Sequence, residues 1–191
     1  RKISYSKLNL YYINTKVQTG FEFILKRVID CTVSILSLMV FSPLILFCFF
    51  YIFIQDFKYP VIGINRSGLY GKEFKMYKFR TMYVNAHKER NEFHEINERS
   101  GPLFKIKDDP RIIKKLSWIR KYSIDEIPQF FNVLKGDMSV VGPRPLFKED
   151  LKKFSNQQTV RMSVLPGITG LLQINERETE DFNLWYKYDK E

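Results

Sequence analysis

From Val28 to Ile54 the chain reads VIDCTVSILSLMVFSPLILFCFFYIFI, a run in which Asp30 is the only charged residue. A stretch this long and this apolar on every side does not suit the core helix of a soluble domain, and it marks contact with a membrane. Ser42-Pro43 divides the run into pieces of about 14 and 11 residues, roughly 21 Å and 17 Å at 1.5 Å per residue. Neither piece alone crosses a hydrocarbon core of about 30 Å. Two readings stay open here. A single transmembrane helix tolerates one proline, whereas a sharp bend at Ser42-Pro43 would return the chain to the side it entered from. Lys26 and Arg27 precede the run, and Lys58, Arg66, Lys72, Lys75 and Lys78 follow it. A spanning helix prefers its basic residues on one side, so this pattern fits the re-entrant hairpin better.

The remaining chain bounds the partners. With 191 residues it can bury one ordinary core plus an appendage. Its net charge of +10 suits an anionic partner: nucleic acid, an acidic membrane surface or a phosphorylated substrate. Cys31 and Cys48, the only cysteines, both fall inside the apolar run and are expected to be small buried hydrophobes without a disulfide or metal role. No cleavable signal is read, because no small-residue cleavage site follows an early apolar run. Residues 1–20 read as a tether or linker fragment, ending in the helix-breaking Gly20. The chain starts at Arg1 instead of Met, which fits a fragment of a longer protein. Residues 21–57 form the membrane element and residues 58–191 the catalytic-domain candidate, the latter with 25 Lys and Arg against 18 Asp and Glu.

Within that domain, residues 60–82 alternate polar and apolar around Gly68 and Gly71, which predicts a β-hairpin. Residues 83–99 are highly charged and read as a solvated helix or loop, with His87 and His94 lacking the spacing of a metal site. In RIIKKLSWIRK (111–121), Ile112, Ile113, Leu116 and Ile119 share one helical face, with Lys114, Lys115, Arg120 and Lys121 around it. Such a basic amphipathic helix with a tryptophan can lie at a lipid interface or pack the same face on the protein's own core. Phe130, Phe131 and Trp118 are expected in the core or facing lipid.

Reactive residue types concentrate in RKYSIDEIPQFFNVLKGDMSVVGPRP (120–145). Ser123-Ile124-Asp125-Glu126 has the form of a capping box, a structural device without chemistry. Pro128 suggests a different register. With Asp125 as the cap, Pro128 falls at the third helical position, where its missing N–H costs nothing. There, the N–H groups and the dipole of the helix start would stabilise the carboxylate and attract phosphate oxygens. A carboxylate attacking a phosphate needs neighbouring cations, a divalent metal and arginines among them. Arg120, Arg111, Arg144, Lys78 and Arg80 form the available supply. On spacing alone, an Asp-Glu pair beside arginines is also a common chance arrangement.

The runs KRVID (26–30), YKFRTM (77–82), DDPRI (108–112), SIDEIPQFFNVLKGDMSVVGPRP (123–145) and LPGITGLLQIN (165–175) together resemble the bacterial sugar transferase family. These are monotopic polyprenyl-phosphate phosphoglycosyl transferases that start the assembly of capsules, exopolysaccharides and other surface glycans. The resemblance runs from about Phe23 to Asp189 in the family's order. It implies a mainly α-helical fold with a small β-hairpin, held on the cytoplasmic face of the bacterial inner membrane by a re-entrant helix and interfacial amphipathic helices. Ser42 and Pro43 match the helix break. Asp125 matches the nucleophile that attacks a UDP-sugar, expels UMP and carries the sugar phosphate to polyprenyl (undecaprenyl) phosphate. Glu126 matches the residue that holds Mg2+ against the diphosphate, and Arg120 a phosphate-binding arginine. Lys78, Arg80, Arg111, Arg144 and Arg177 extend the anion site by charge and motif membership. The implied partners are the UDP-sugar, the lipid phosphate and the membrane, without nucleic acid, and a homo-oligomer is compatible with this reading. Asn65 and Glu176 depart from the family's pattern, which leaves the contacts near Arg177 in question. Gly136, Gly142-Pro143 and PGITG (166–170) are expected to shape the backbone, the last as a turn.

Overall fold

The computed structural model of the chain describes residues 3–5, 8–10, 20–84, 86, 106, 109–151, 158–175 and 187–188. Within the segment read as a tether, β1 (Ile3–Tyr5) and β2 (Leu8–Leu10) pair antiparallel. The apolar run then folds as two helices, α1 (Phe21–Val40) and α2 (Ser42–Asp56), which meet at a 62° bend. Among the described residues no single helix is long and apolar enough to cross a membrane; the bent pair together has the length and composition.

The bend has a local cause. Pro43 cannot donate to the Met39 carbonyl four residues back, and the Ser42 hydroxyl takes that acceptor instead, at 2.8 Å. The serine thus supplies the donor the proline removes, and the proline stands in the first turn of α2, where helices accept it. On α1, Lys26, Asp30 and Ser34 follow one another at four-residue spacing, and Asp30 and Ser34 are buried against the rest of the protein. The opposite faces of the two helices leave Val28, Leu36, Met39, Phe50 and Ile54 exposed. This apolar surface is far larger than a folded chain ordinarily leaves in water.

The expected hairpin is present: β3 (Val61–Ser67) pairs antiparallel with β4 (Glu73–Phe79), Val61 opposite Phe79 and Ser67 opposite Glu73. Tyr70 and Gly71 both take positive φ in the connection. Residues 111–121 differ from one amphipathic helix. Ile112 bridges Met82, a 3-10 turn covers Lys114–Leu116, and α3 spans only Ser117–Lys121. The apolar residues still face one way, toward the protein's own core. Leu116 and Ile119 are fully buried with Phe79 of β4 and with Cys48 and Ile52 of α2. Full burial of a leucine stabilises by about 1.5–3 kcal/mol, so this cluster joins the membrane-type helix firmly to the hairpin. Trp118 completes it, tilted against Phe47 and Tyr51.

A second cluster sets α4 (Gln129–Lys135) on the hairpin through Met76, Val133 and Met138. Gly136, at φ 93, ends α4 in the left-handed conformation that only glycine adopts without cost. The chain continues into β5 (Ser139–Val141), α5 (Lys148–Leu151), β6 (Gly167–Thr169) and α6 (Leu171–Asn175). β5 and β6 pair in parallel, which corrects the turn expected for PGITG. Its glycines serve close approach: a Cβ on Gly142 would lie 2.5 Å from the Leu165 carbonyl oxygen, and one on Gly170 2.6 Å from that of Gly142. Among the described residues the fold is mostly helical with small two-stranded sheets, as the sequence suggested. His87, His94, the rest of 87–99 and Arg177 lie outside the described residues.

Candidate active site

Asp125 and Glu126 lie in a 3-10 turn, Ile124–Glu126, directly ahead of α4. The expected cap is not formed. Ser123 takes a left-handed backbone, φ 59, with no side-chain cap, and Pro128 itself flanks α4. The backbone tightens to i→i−3 bonding through Glu126 to Ser123, Ile127 to Ile124, Phe130 to Ile127 and Phe131 to Pro128. Pro128 breaks nothing, as its position implied, but Asp125 stands inside the preceding turn. α4 has only 7 residues, so the site's electrostatics come from side chains rather than from a helix dipole.

Those side chains arrive from three other places in the chain. Lys78, on β4, donates to Glu126 Oε1 at 2.7 Å and lies 3.4 Å from Asp125 Oδ2. Arg144, after β5, donates to the same Glu126 oxygen at 3.3 Å. Arg120, at the end of α3, is exposed as a residue, yet its guanidinium is within electrostatic reach of both Asp125 and Asp109. Asp125 is 6% exposed. Burial pushes its carboxyl above the ordinary aspartate range; Lys78 and Arg120 pull it down, and the neighbouring Glu126 charge adds to the rise. The result is a desolvated carboxylate whose positive neighbours only partly compensate its burial, the kind of group that functional sites collect.

The remaining predicted residues are placed elsewhere. Arg80 gives both ends of its guanidinium to Asp56 at the end of α2, at 2.7 and 2.5 Å, and its Nε to the Tyr59 carbonyl. These hydrogen bonds hold α2 to the hairpin and do not reach Asp125. Arg111 forks onto Asp109 at 2.8 and 2.6 Å and reaches the Ala86 carbonyl at 3.1 Å. Ser42 and Pro43 form the bend, remote in sequence from this cluster.

Two residues matter more than their sequence context suggested. Asp30 accepts from Lys26 at 2.8 Å, from the Ser139 hydroxyl at 2.8 Å and from the Val140 N–H at 3.1 Å, fastening α1 to β5. Lys26 also donates to the Ser139 hydroxyl. A lone charge in an apolar run with a lysine four residues earlier was the available signal. Asn132, fully buried on α4, bonds the backbone of β4, and nothing in local periodicity marks it.

The donor set can be tested against a metal. Among the described residues no group of three His, Cys, Asp or Glu forms a closed cage. Two adjacent carboxylates suit Mg2+, which takes one or two protein carboxylates and completes its shell with phosphate oxygens and water. They do not suit a structural zinc site.

A bent helix pair with exposed apolar faces, joined to a buried Asp125 and a half-buried Glu126 on which Lys78 and Arg144 converge, defines a class: an apolar-surfaced scaffold carrying a carboxylate–cation cluster. The chain belongs to the bacterial sugar transferase family, whose pattern matches residues 21–191. It is 42% identical over 167 residues to the galactosyl transferase CpsE of Streptococcus agalactiae, covering 87% of this chain and 37% of that protein. It is 37% identical over 173 residues to the undecaprenyl-phosphate galactose phosphotransferase of Salmonella typhimurium, covering 86% of this chain and 35% of that protein. The exopolysaccharide production protein ExoY of Sinorhizobium fredii is 35% identical over 168 residues, covering 86% of this chain and 74% of that protein. The chain thus spans little more than a third of the first two relatives and about three quarters of the third.

Proposed function

We propose that this protein transfers a sugar 1-phosphate from a UDP-sugar to a polyprenyl phosphate, as an early membrane step of surface-glycan assembly. The observation that carries the reading is the placement of Asp125: a buried carboxylate beside Glu126, with Lys78 in contact with both and Arg144 in contact with Glu126. The family and the activities for which its relatives are named support the substrate class.

In the first step an Asp125 oxygen attacks the sugar-linked phosphorus. The bond from that phosphorus to the oxygen bridging to UMP breaks, UMP leaves with the electron pair, and an aspartyl phosphosugar forms. In the second step an oxygen of the lipid phosphate attacks the same phosphorus and Asp125 is released as a carboxylate. Both steps bring anion against anion, so the positive groups must act where charge develops. Lys78 and Arg144 stand beside Glu126 for the diphosphate, and Arg120 is suited to the incoming lipid phosphate. Glu126, with Asp125 beside it, would hold Mg2+, which supplies Lewis-acid neutralisation of the phosphate oxygens when bound.

The same reading places the exposed apolar faces of α1 and α2 in one leaflet of the inner membrane as a re-entrant pair, with the domain on the cytoplasmic face. Each helix, about 30 Å and 22 Å long at 1.5 Å per residue, then enters at a slant instead of crossing. Lys114, Lys115, Lys121 and Tyr122, exposed beside the Trp118 cluster, suit the headgroup layer.

A UMP-release screen over a panel of UDP-sugars tests the reaction, with undecaprenyl phosphate and Mg2+ each present or omitted. One responding sugar, Mg2+ dependence, and a labelled sugar adduct on the protein when the lipid is omitted are expected. Release of UDP instead of UMP would refute a phosphosugar transfer.

A further inference from the structure

Among the described residues β4 pairs with β3 along one edge only, and no strand pairs its other edge. Asn132 covers that edge. Its side-chain oxygen accepts from the Tyr77 N–H at 2.9 Å, and its side-chain nitrogen donates to the Lys75 carbonyl at 2.7 Å. Bonding the carbonyl of one residue and the N–H of the next but one is what a residue of a neighbouring parallel strand would do opposite Met76. A side-chain amide thus stands in for a third strand. Its orientation is fixed, because the nitrogen also reaches Asp137 at 3.3 Å and the residue is fully buried. Asn132's own carbonyl is held in turn by the N–H groups of Gly136, Asp137 and Met138.

The consequence reaches the site. Tyr77 is the neighbour of Lys78, and Asn132 stands on the helix that continues from the Asp125–Glu126 turn through successive i→i−3 bonds. The path from Lys78 to Tyr77, across the amide to α4, back to Glu126 and across the 2.7 Å contact to Lys78 is a closed ring. Met76 against Val133 and Met138 holds the two elements together, but apolar packing tolerates sliding along the strand. Directional hydrogen bonds to two backbone groups do not.

We propose that Asn132 is a positioning residue for phosphosugar transfer: its amide sets the register of β4 against the Asp125–Glu126 turn and so places the Lys78 ammonium. This rests on the reaction proposed above.

The test is a double-mutant cycle in UMP release by the membrane-embedded chain, with Asn132→Ala, Lys78→Ala and the double variant. Asn132→Ala should lower kcat by about 10- to 100-fold, the penalty of a misplaced group, with KM within about threefold. In the Lys78→Ala background the same substitution should cost less than about threefold further, because the residue it positions is gone. Losses that multiply in full would overturn the proposal, and so would an Asn132→Ala effect confined to KM or to thermal stability. Asn132→Asp keeps the volume and the acceptor but removes the donor to Lys75; it runs the same cycle if the alanine variant does not accumulate in membranes. A wild-type chain that releases no UMP would refute the reaction itself, whereas an active wild type with a fully multiplicative cycle refutes only the role of Asn132.

Discussion

Asp109 and Asp125 are almost equally buried, at 7% and 6% exposure, yet their carboxyl groups are pushed in opposite directions. Burial raises both. At Asp109 the rise is overcome by Arg111, which forks onto both carboxylate oxygens while its own N–H adds a third bond at 3.0 Å, so the group titrates below the usual range. At Asp125 the contacting ammonium is 3.4 Å away and lies closer to Glu126, whose charge pushes the same way as burial. One aspartate is compensated and holds the chain in place. The other is left under-compensated, and under the proposed function that imbalance is what would offer it to a phosphorus centre.

Removing the under-compensated carboxylate should give the largest effect. Asp125→Asn is expected to lower UMP release on the order of 10³-fold or more and to abolish the sugar adduct. The same variant should be more stable at neutral pH. The folded pKa of Asp125 lies above its unfolded value, so ionisation of this buried group costs stability above the folded pKa, and the cost disappears below the unfolded pKa. Thermal midpoints of variant and wild type should therefore converge as the pH falls. A variant that unfolds earlier at neutral pH would break the contrast between the two aspartates.

Lys78→Ala should lower kcat by about 100-fold, as expected for a lost cation at a developing charge. It should also move the acid limb of the pH–rate profile upward, since Lys78 draws the Asp125 carboxyl down. An acid limb that stays fixed would separate Lys78 from the ionisation of Asp125.

The compensated pair predicts the reverse pattern. Arg111→Leu strands a buried carboxylate and should cost about 3–5 kcal/mol of stability, measured by thermal or denaturant unfolding, with little change in turnover per folded molecule. Because Asp109 has a depressed folded pKa, the contribution of the pair is present above the unfolded pKa and is lost as the pH falls through the folded value. The variant should thus lose most of its disadvantage in acid. A large drop in kcat with stability intact would move Arg111 into the anion site.

The smallest effect is expected at the bend. Ser42→Ala leaves the Met39 carbonyl without the donor that replaces the proline's missing N–H, at a cost of about 1 kcal/mol. Cysteine-accessibility labelling of both helix ends, in wild type and variant, checks whether they emerge on the same side as the proposed re-entrant arrangement requires.

The sequence announced the elements better than their partners. Alternation around Gly68 and Gly71 was enough for the hairpin, which follows from local backbone rules, whereas the serine-proline pair by itself left a spanning helix and a sharp bend both open. The start of α4 was misjudged for an equally local reason. Ser123 adopts a left-handed conformation that no spacing rule signals, and the chain tightens into a 3-10 turn where a capped helix was expected. The parallel pairing of β5 with β6 was also hidden, since glycines that permit close approach look the same in sequence as glycines that permit a turn.

By itself the sequence determined that this chain carries a long apolar run interrupted at Ser42-Pro43, a small hairpin and a concentration of reactive residue types around Asp125 and Glu126. Only the tertiary structure decided which cation meets which carboxylate. Lys78 and Arg80 are two residues apart and both carry a positive charge, yet one reaches Glu126 and the other Asp56. The physical reason is distance along the chain. These pairs, and the bonds of Asp30 to β5 and of Asn132 to β4, join residues 24 to 110 positions apart. Periodicity governs what a residue does within its own turn or strand, while a buried charge is satisfied only by the partner that packing brings to it.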